Sequence, residues 1–516
     1  MDNLLDIPSQ ATRLAKRHNR LAASASSEPP TLPTSTSLEA ARSSLPSPSS
    51  ADYLAGQPQE ATASHIANDI VPALNGQNQS ARYMGFVTGG VLPLAEWADN
   101  VAARYDQNVQ VHLPAQTVAT NVEDAALEML VRLFRLRNAE EWKGRTFTTG
   151  ATASNVMGLA VGRESVLNRK LKAAGSSSTV GDVGLLAAAV EAGVKEVQVL
   201  ASAGHSSMGK AASVVGLGRL GVKDVSLSRD QPWKMDLDAV EKALQKPGVA
   251  SIINVGAGEV NTGRYALEGV EEWKRLRKLA DEYGAWIHVD GAFGIFARAL
   301  DETDEYKLLH QRLEGIELAD SITVDGHKLL NVPYDCGMFL CKSPAIMEAV
   351  FTNPNASYLA SSGAATIPSP LNIGHENSRR FRALPAYAVL LSEGRPGMAS
   401  LLGNMTRLSR RVAAYLCDSP HYELLPSEDG SDAALDEVFI CVLFRAKSAE
   451  LNDVLVQRIN ETRQMYVSGT SWKGEKAVRV AVSNWRVDVE RDTKVITAIL
   501  SCIAEGQAFD IASVEA

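Results

Sequence analysis

The sequence predicts an α/β fold: a large domain on a mostly parallel sheet, followed by a smaller C-terminal α+β domain. Three observations carry this reading. Over 145–340, short apolar runs alternate with segments of helical periodicity, as in strands and helices that build one sheet. Two of the runs, Ala285–Val289 and Ser321–Val324, read as buried strands that stop abruptly on charged or small residues. Beyond Cys341 the pattern changes to a long Ser/Ala/Asn/Pro stretch, then a helix, then alternating strands.

The bulk composition narrows the function classes. A chain of 516 residues is too long for one simple core and suggests two or three units. With 45% hydrophobic and 22% charged residues it is an ordinary globular composition. A net charge of -9 gives no support for a nucleic-acid or anionic-membrane partner. No run reaches the length of a membrane span. The cysteines (336, 341, 417, 441 and 502) are an odd set in a long chain, which points to reduced thiols and a cytoplasmic protein. Cys336 and Cys341 lack a second ligand pair at metal spacing, so no metal site is expected.

Taken in order, residues 1–60 read as a disordered Ser/Pro-rich tail with too few large apolar groups to offset ordering entropy. Asp2 and Asp6 count against an organelle presequence, despite Arg13, Lys16, Arg17 and Arg20. Residues 61–115 read as an N-terminal helical segment, with helices over Leu94–Tyr105 and, further on, Val122–Leu136. The large domain is expected over 116–345. In it, Thr146–Thr149 is strand-like, Gly150-Ala151-Thr152 is a small-residue turn, and a helix runs from Ser154. Such a loop presents free N–H groups and a helix dipole to an anion, although an ordinary strand–turn–helix junction looks the same. Gly193–Ala201 reads as a strand and His205 opens the helix after it, as a structural residue or as a ring laid over a ligand. Asp236 is a helix N-cap, and Gly284 stops the amphipathic helix Glu271–Tyr283. Residues 346–385 read as a lid or linker loop, and 386–516 as the small domain. Within it, Ala386–Leu416 is helical, and Val438–Phe444 and Ala477–Val482 alternate as antiparallel strands do.

Chemistry concentrates at two strand ends. Asp290 follows the first buried run, and His327-Lys328 follow the second. In open α/β sheets ligands bind at the carboxyl ends of strands. An acid and a lysine at that edge suit pyridoxal 5'-phosphate (PLP): the lysine forms the Schiff base and the acid pairs with the pyridinium nitrogen.

These motifs resemble the group II PLP-dependent amino-acid decarboxylases, the family of aromatic-amino-acid, glutamate, tyrosine and diaminobutyrate decarboxylases. The likeness covers 80–500 and is most specific in DGHKLLNVPYDCG. It implies a PLP-dependent transferase-like large domain of the aspartate aminotransferase type. FTTGATASN is similar to the phosphate-loop segment, with Ala151 where the family has a second glycine. By the resemblance, Gly150, Ala151, Thr152 and His327 contact the phosphate, His205 stacks on the ring, Asp290 pairs with its nitrogen and Ala292 packs on its face. Lys328 is then the Schiff-base lysine. The implied activity is that of a carboxy-lyase in amino-acid (carboxylic acid) metabolism, decarboxylating an L-amino acid to an amine. A homodimer with shared sites is also implied.

One departure bears on the product. In much of the family a tyrosine on a mobile loop returns a proton to the substrate carbon. Here Tyr358 is the only tyrosine between Cys341 and Arg379, and residues 359–370 hold none. Tyr358, His205 or a partner-subunit group is left to do this. The alternatives on the same fold are decarboxylation with oxidative deamination to an aldehyde, and carbon–carbon lysis. A non-enzymatic relative would have lost Asp290, His205 and Lys328, yet all are present. Arg379-Arg380 reads as a carboxylate clamp or as an exposed basic pair, and His310 as a helix-surface residue. No single residue reveals the substrate side chain.

Overall fold

The computed structural model describes residues 29–204, 206–353, 367–426 and 432–515. Seven strands form the large sheet: β1 (Gly144–Thr148), β2 (Glu196–Ala201), β3 (Val222–Asp224), β4 (Val249–Gly256), β5 (Trp286–Asp290), β6 (Ser321–Asp325) and β7 (Gly337–Cys341), in the order β1-β7-β6-β5-β4-β2-β3. The five strands from β6 to β3 are parallel. Strand β7 runs antiparallel to both its neighbours, so β1 points the same way as β6. Strands β6 and β7 are buried along their whole length, because helices and loops cover both faces. The carboxyl ends of β1, β2, β4, β5 and β6 therefore share one edge.

A helix at Ala151–Ala173 crosses one face of the sheet. It approaches closely because it carries glycine where the strands are bulky. An added Cβ at Gly158 would stand 2.3 Å from the His288 ring, and one at Gly162 would stand 2.9 Å from Trp286. The helix begins at Ala151, three residues earlier than expected, because the Asp325 side chain satisfies the Ala151 N–H. The helix Val270–Tyr283 stops at Gly284 (φ 69°), and the Asp236 side chain caps Leu237–Leu244.

The small domain is a four-stranded antiparallel sheet built from β8 (Tyr422–Leu425), β9 (Cys441–Ala446), β10 (Ser468–Trp472) and β11 (Glu475–Ala481), in the order β10-β11-β9-β8. The helix Ala449–Glu461 packs on β9 and β11, and Val489–Ala504 packs against it and against the long helix Ala383–Asp418. The helix expected over Ala386–Leu416 extends over Ala383–Asp418 but breaks at Gly394 (φ 55°), just before Pro396.

Three sequence expectations need correction. The segment 1–60 is not all tail: Ser35–Ser44 is a helix capped by Thr34, and Thr31 is buried with its amide on the Arg463 carbonyl. The segment 61–115 is not continuously helical. Residues 82–92 run without helix between the small domain and the His327-Lys328 turn: Met84 N–H donates to Tyr466, Ala481 N–H to Met84, and Gly89 N–H to His327. Arg82 and Asp492 form an ion pair at 2.8 Å with side chains 1% and 0% exposed. Finally, Arg379-Arg380 is neither a clamp nor an exposed pair. Arg379 is buried on Glu123 at 2.7 Å, and Arg380 pairs with Asp99 at 2.7 Å. Their partners lie far off in sequence, where no local pattern reveals them.

Among the described residues no helix is long and apolar enough to cross a membrane, no His/Cys/Asp/Glu group could hold a metal, and the five cysteines are free. Replacing Asp492 with Ala removes the buried carboxylate beside Arg82. It should destabilise the protein by about 3–5 kcal/mol, read as a lower urea midpoint with an unchanged slope.

Candidate active site

A cavity of about 420 Å³ opens at the shared carboxyl edge of the strands. Gly150, Ala151, Thr152, Asp290, Ala292, His327 and Lys328 all line it. His205 and Tyr358 lie outside the described residues, although Gly204 and Ser207 beside the first are cavity-lining.

The wall is built by a close approach of backbones. Gly337, at the start of β7, is paired with both Thr148 and Asp325. A Cβ on it would meet Gly150 Cα at 2.5 Å, so only glycine lets the loop after β1 sit here. That loop opens the helix Ala151–Ala173, whose first-turn N–H groups have no intrahelical partner. The Ala151 N–H donates to Asp325 Oδ1 at 2.6 Å. Thr152 and Ala153 follow it along the cavity wall, at the positive end of the helix dipole.

Asp325 is the residue that sequence reasoning missed. It precedes Lys328 by three positions at the start of the short helix Gly326–Leu329, so the two share a face. Lys328 Nζ lies 3.2 Å from Asp325 Oδ2 and 5.6 Å from the centre of the Phe293 ring. His327 Nε2 lies 3.5 Å from Asp325 Oδ1. Burial lowers the His327 pKa, with Asp325 acting in the opposite direction. The Cys336 N–H donates to Nδ1, so the neutral ring carries its hydrogen on Nε2, facing Asp325. Tyr334 covers the other side of this ring, with centroids 4.4 Å apart.

At the floor, Asp290 closes β5. Its Oδ2 accepts from Asn155 Nδ2 at 2.9 Å and its Oδ1 from the Ala292 N–H at 3.3 Å. Two further polar groups, unread in the sequence, line the cavity. Asn254 on β4 is 3% exposed, and its Oδ1 has no hydrogen-bond partner among the described residues. Arg479 on β11 is 8% exposed and donates to the Gly85 and Val260 carbonyls, yet its Nε has no partner among the described residues. A charged residue between valines in a buried strand was a legible anomaly.

The model of the pyridoxal-dependent decarboxylase conserved domain matches residues 97–445. The chain belongs to this family. L-2,4-diaminobutyrate decarboxylase of Acinetobacter baumannii is 31% identical over 307 residues, 58% of this chain and 55% of that protein. 4-Hydroxyphenylacetaldehyde synthase of Rhodiola rosea is 25% identical over 275 residues, 51% of this chain and 52% of the relative. The chain thus spans about half the length of these curated relatives. The solved structure of Oryza sativa TDC with PLP and tryptamine superposes with a TM-score of 0.76 at 19% identity, covering 97% of this chain and 98% of that one. At that identity the likeness shows the fold.

The residues present fit the family's pyridoxal cofactor. A helix N-terminus faces the cavity where it could hold a phosphate, Lys328 could supply an amine, and Asp290 could offer a carboxylate to a protonated ring nitrogen. Asn254 Oδ1, a buried acceptor without a partner among the described residues, leaves room for a ligand that brings its own donor. Gly337→Ala should push the Gly150 loop outward. The expected result is weakening of PLP binding by about tenfold or more with the circular-dichroism spectrum kept, read by fluorescence titration.

Proposed function

We propose that this protein is a PLP-dependent carboxy-lyase that decarboxylates an L-amino acid to the corresponding amine and CO2. The observation that carries the reading is a single cavity holding Lys328, Asp290, a helix N-terminus and the buried Arg479. PLP, when bound, supplies a conjugated ring that accepts the electron pair left by a bond broken at the amino acid's Cα.

The chain's own residues do the rest. Lys328 would hold the cofactor covalently, and the neighbouring Asp325 carboxylate orients its ammonium while the amine is free. Asp290 keeps a proton on the ring nitrogen, since a carboxylate beside a nitrogen base favours its charged form. Arg479 attracts the substrate carboxylate into the apolar part of the cavity. The buried Trp233 and Phe293 line that part and exclude water, which strengthens the charge interactions inside. By the family resemblance His205 would stack on the cofactor ring, and His205, Tyr358 or a partner-subunit group would return the proton to Cα. The absence of tyrosine from 359–370 supports a second reading. In it, decarboxylation is followed by oxidation with dioxygen, giving an aldehyde, ammonia and peroxide.

A homodimer is part of the proposal. Leu54, Leu74, Tyr105 and Val118 are 89%, 63%, 69% and 69% exposed, which supports a second copy covering the N-terminal segment. We read the protein as cytoplasmic, which suits its free thiols.

Borohydride reduction of the PLP-loaded protein should fix the cofactor to the peptide carrying Lys328. Lys328→Ala should lower CO2 release from a panel of L-amino acids by about a thousandfold or more. Amine without peroxide supports the first reading, and aldehyde with peroxide the second. Failure to bind PLP sinks both.

A further inference from the structure

We propose that His288 and Asn155 are positioning residues for Asp290, joined in a one-way chain of hydrogen bonds that keeps its carboxylate turned to the cavity. This rests on reading Asp290 as the partner of the cofactor's ring nitrogen.

The chain runs through the buried face of the sheet. Trp286 Nε1 lies 3.0 Å from Ser321 Oγ, Ser321 Oγ 2.8 Å from His288 Nδ1, and His288 Nε2 3.0 Å from Asn155 Oδ1. Asn155 Nδ2 then reaches Asp290 Oδ2 at 2.9 Å. The Asp290 end and a neutral His288 ring fix the direction of the bonds between them. The indole donates to the Ser321 oxygen, and a neutral ring with its hydrogen on Nε2 leaves Nδ1 to accept the Ser321 hydrogen. A carboxylate can only accept, so Asn155 presents its amide nitrogen to Asp290 and its oxygen to His288. His288 must therefore carry its hydrogen on Nε2. The ring is neutral because burial lowers the His288 pKa to about 4 against the pull of Asp290.

The point of control is the Asn155 amide. Among the described residues Asp290 has only a 3.3 Å contact from the Ala292 N–H on its other oxygen, so Asn155 decides how the carboxylate sits. The amide can in principle turn over, which would set its oxygen against that carboxylate. The His288 N–H forbids this, because a turned amide would also set two donors face to face. His288 is in turn seated by a glycine. Gly158 lies three residues after Asn155 on the same helix face, and any Cβ there would stand 2.3 Å from His288 Cε1 and 2.6 Å from Nδ1.

The test uses the full-length protein. Asn155→Ala and His288→Ala should each weaken PLP binding by about tenfold or more and lower kcat, with little change in KM for the amino acid. Because His288 acts through Asn155, adding His288→Ala to Asn155→Ala should change PLP affinity no further. His288→Gln, which keeps an N–H donor, should recover part of the loss. Unchanged PLP affinity in folded Asn155→Ala, or a double variant whose losses multiply, overturns the proposal. A second measurement needs no cofactor: imidazole ¹⁵N spectra of the ligand-free protein should show His288 as the neutral Nε2–H form, and Gly158→Ala should abolish that signature. Another tautomer in the wild type overturns the chain. A wild type that takes up no PLP but shows the Nε2–H form sinks the proposed function and leaves the chain standing as a structural feature.

Discussion

The Asp325 carboxylate is the interaction on which the site depends. With its side chain 4% exposed, it must find partners inside the protein. Those partners are the Ala151 N–H, the Lys328 ammonium and the His327 ring, one from each structure that the cavity needs. The burial of one acid thus ties the first turn of a helix to a lysine 177 positions from the start of that helix. The same carboxylate gives the ammonium a fixed place against an otherwise apolar wall containing Phe293.

What was legible in the sequence follows from this geometry. Asp290, His327 and Lys328 could be read because each stands just past an apolar run, and a buried parallel strand can deliver its next residue only to the carboxyl edge. The small-residue turn at Gly150 could be read because its composition matches a conformation. Asp325 sat in the same motif and was passed over, since nothing local says that an acid beside a lysine is buried and not solvated. Arg379 was misread for the same reason. Its carboxylate partner is 256 residues away, and a charged pair in a polar loop carries no mark of burial. Asn155 and Asn254 look like ordinary polar residues until the fold brings them to Asp290 and the cavity.

Glycine sets the tolerances. At Gly337 and Gly89 the backbones of separate segments approach so closely that a methyl group would overlap them: Gly150 Cα at 2.5 Å in one case, the Lys328 carbonyl at 1.9 Å in the other. Gly158 does the same for an imidazole. The cavity is therefore shaped as much by missing side chains as by present ones, and its polar groups are held by a tightly packed frame.

The non-helical stretch 82–92 has a consequence for how the protein comes to exist. Arg82 meets Asp492 across 410 residues, and Gly89 rests on the turn that carries His327 and Lys328. On the ribosome, the early segment must wait until nearly the whole chain has emerged before its buried partner is available. The lysine turn cannot be clamped from that side sooner. The cavity is therefore completed last, and a nascent chain stopped short of the second sheet lacks both Arg479 and the partner of Arg82.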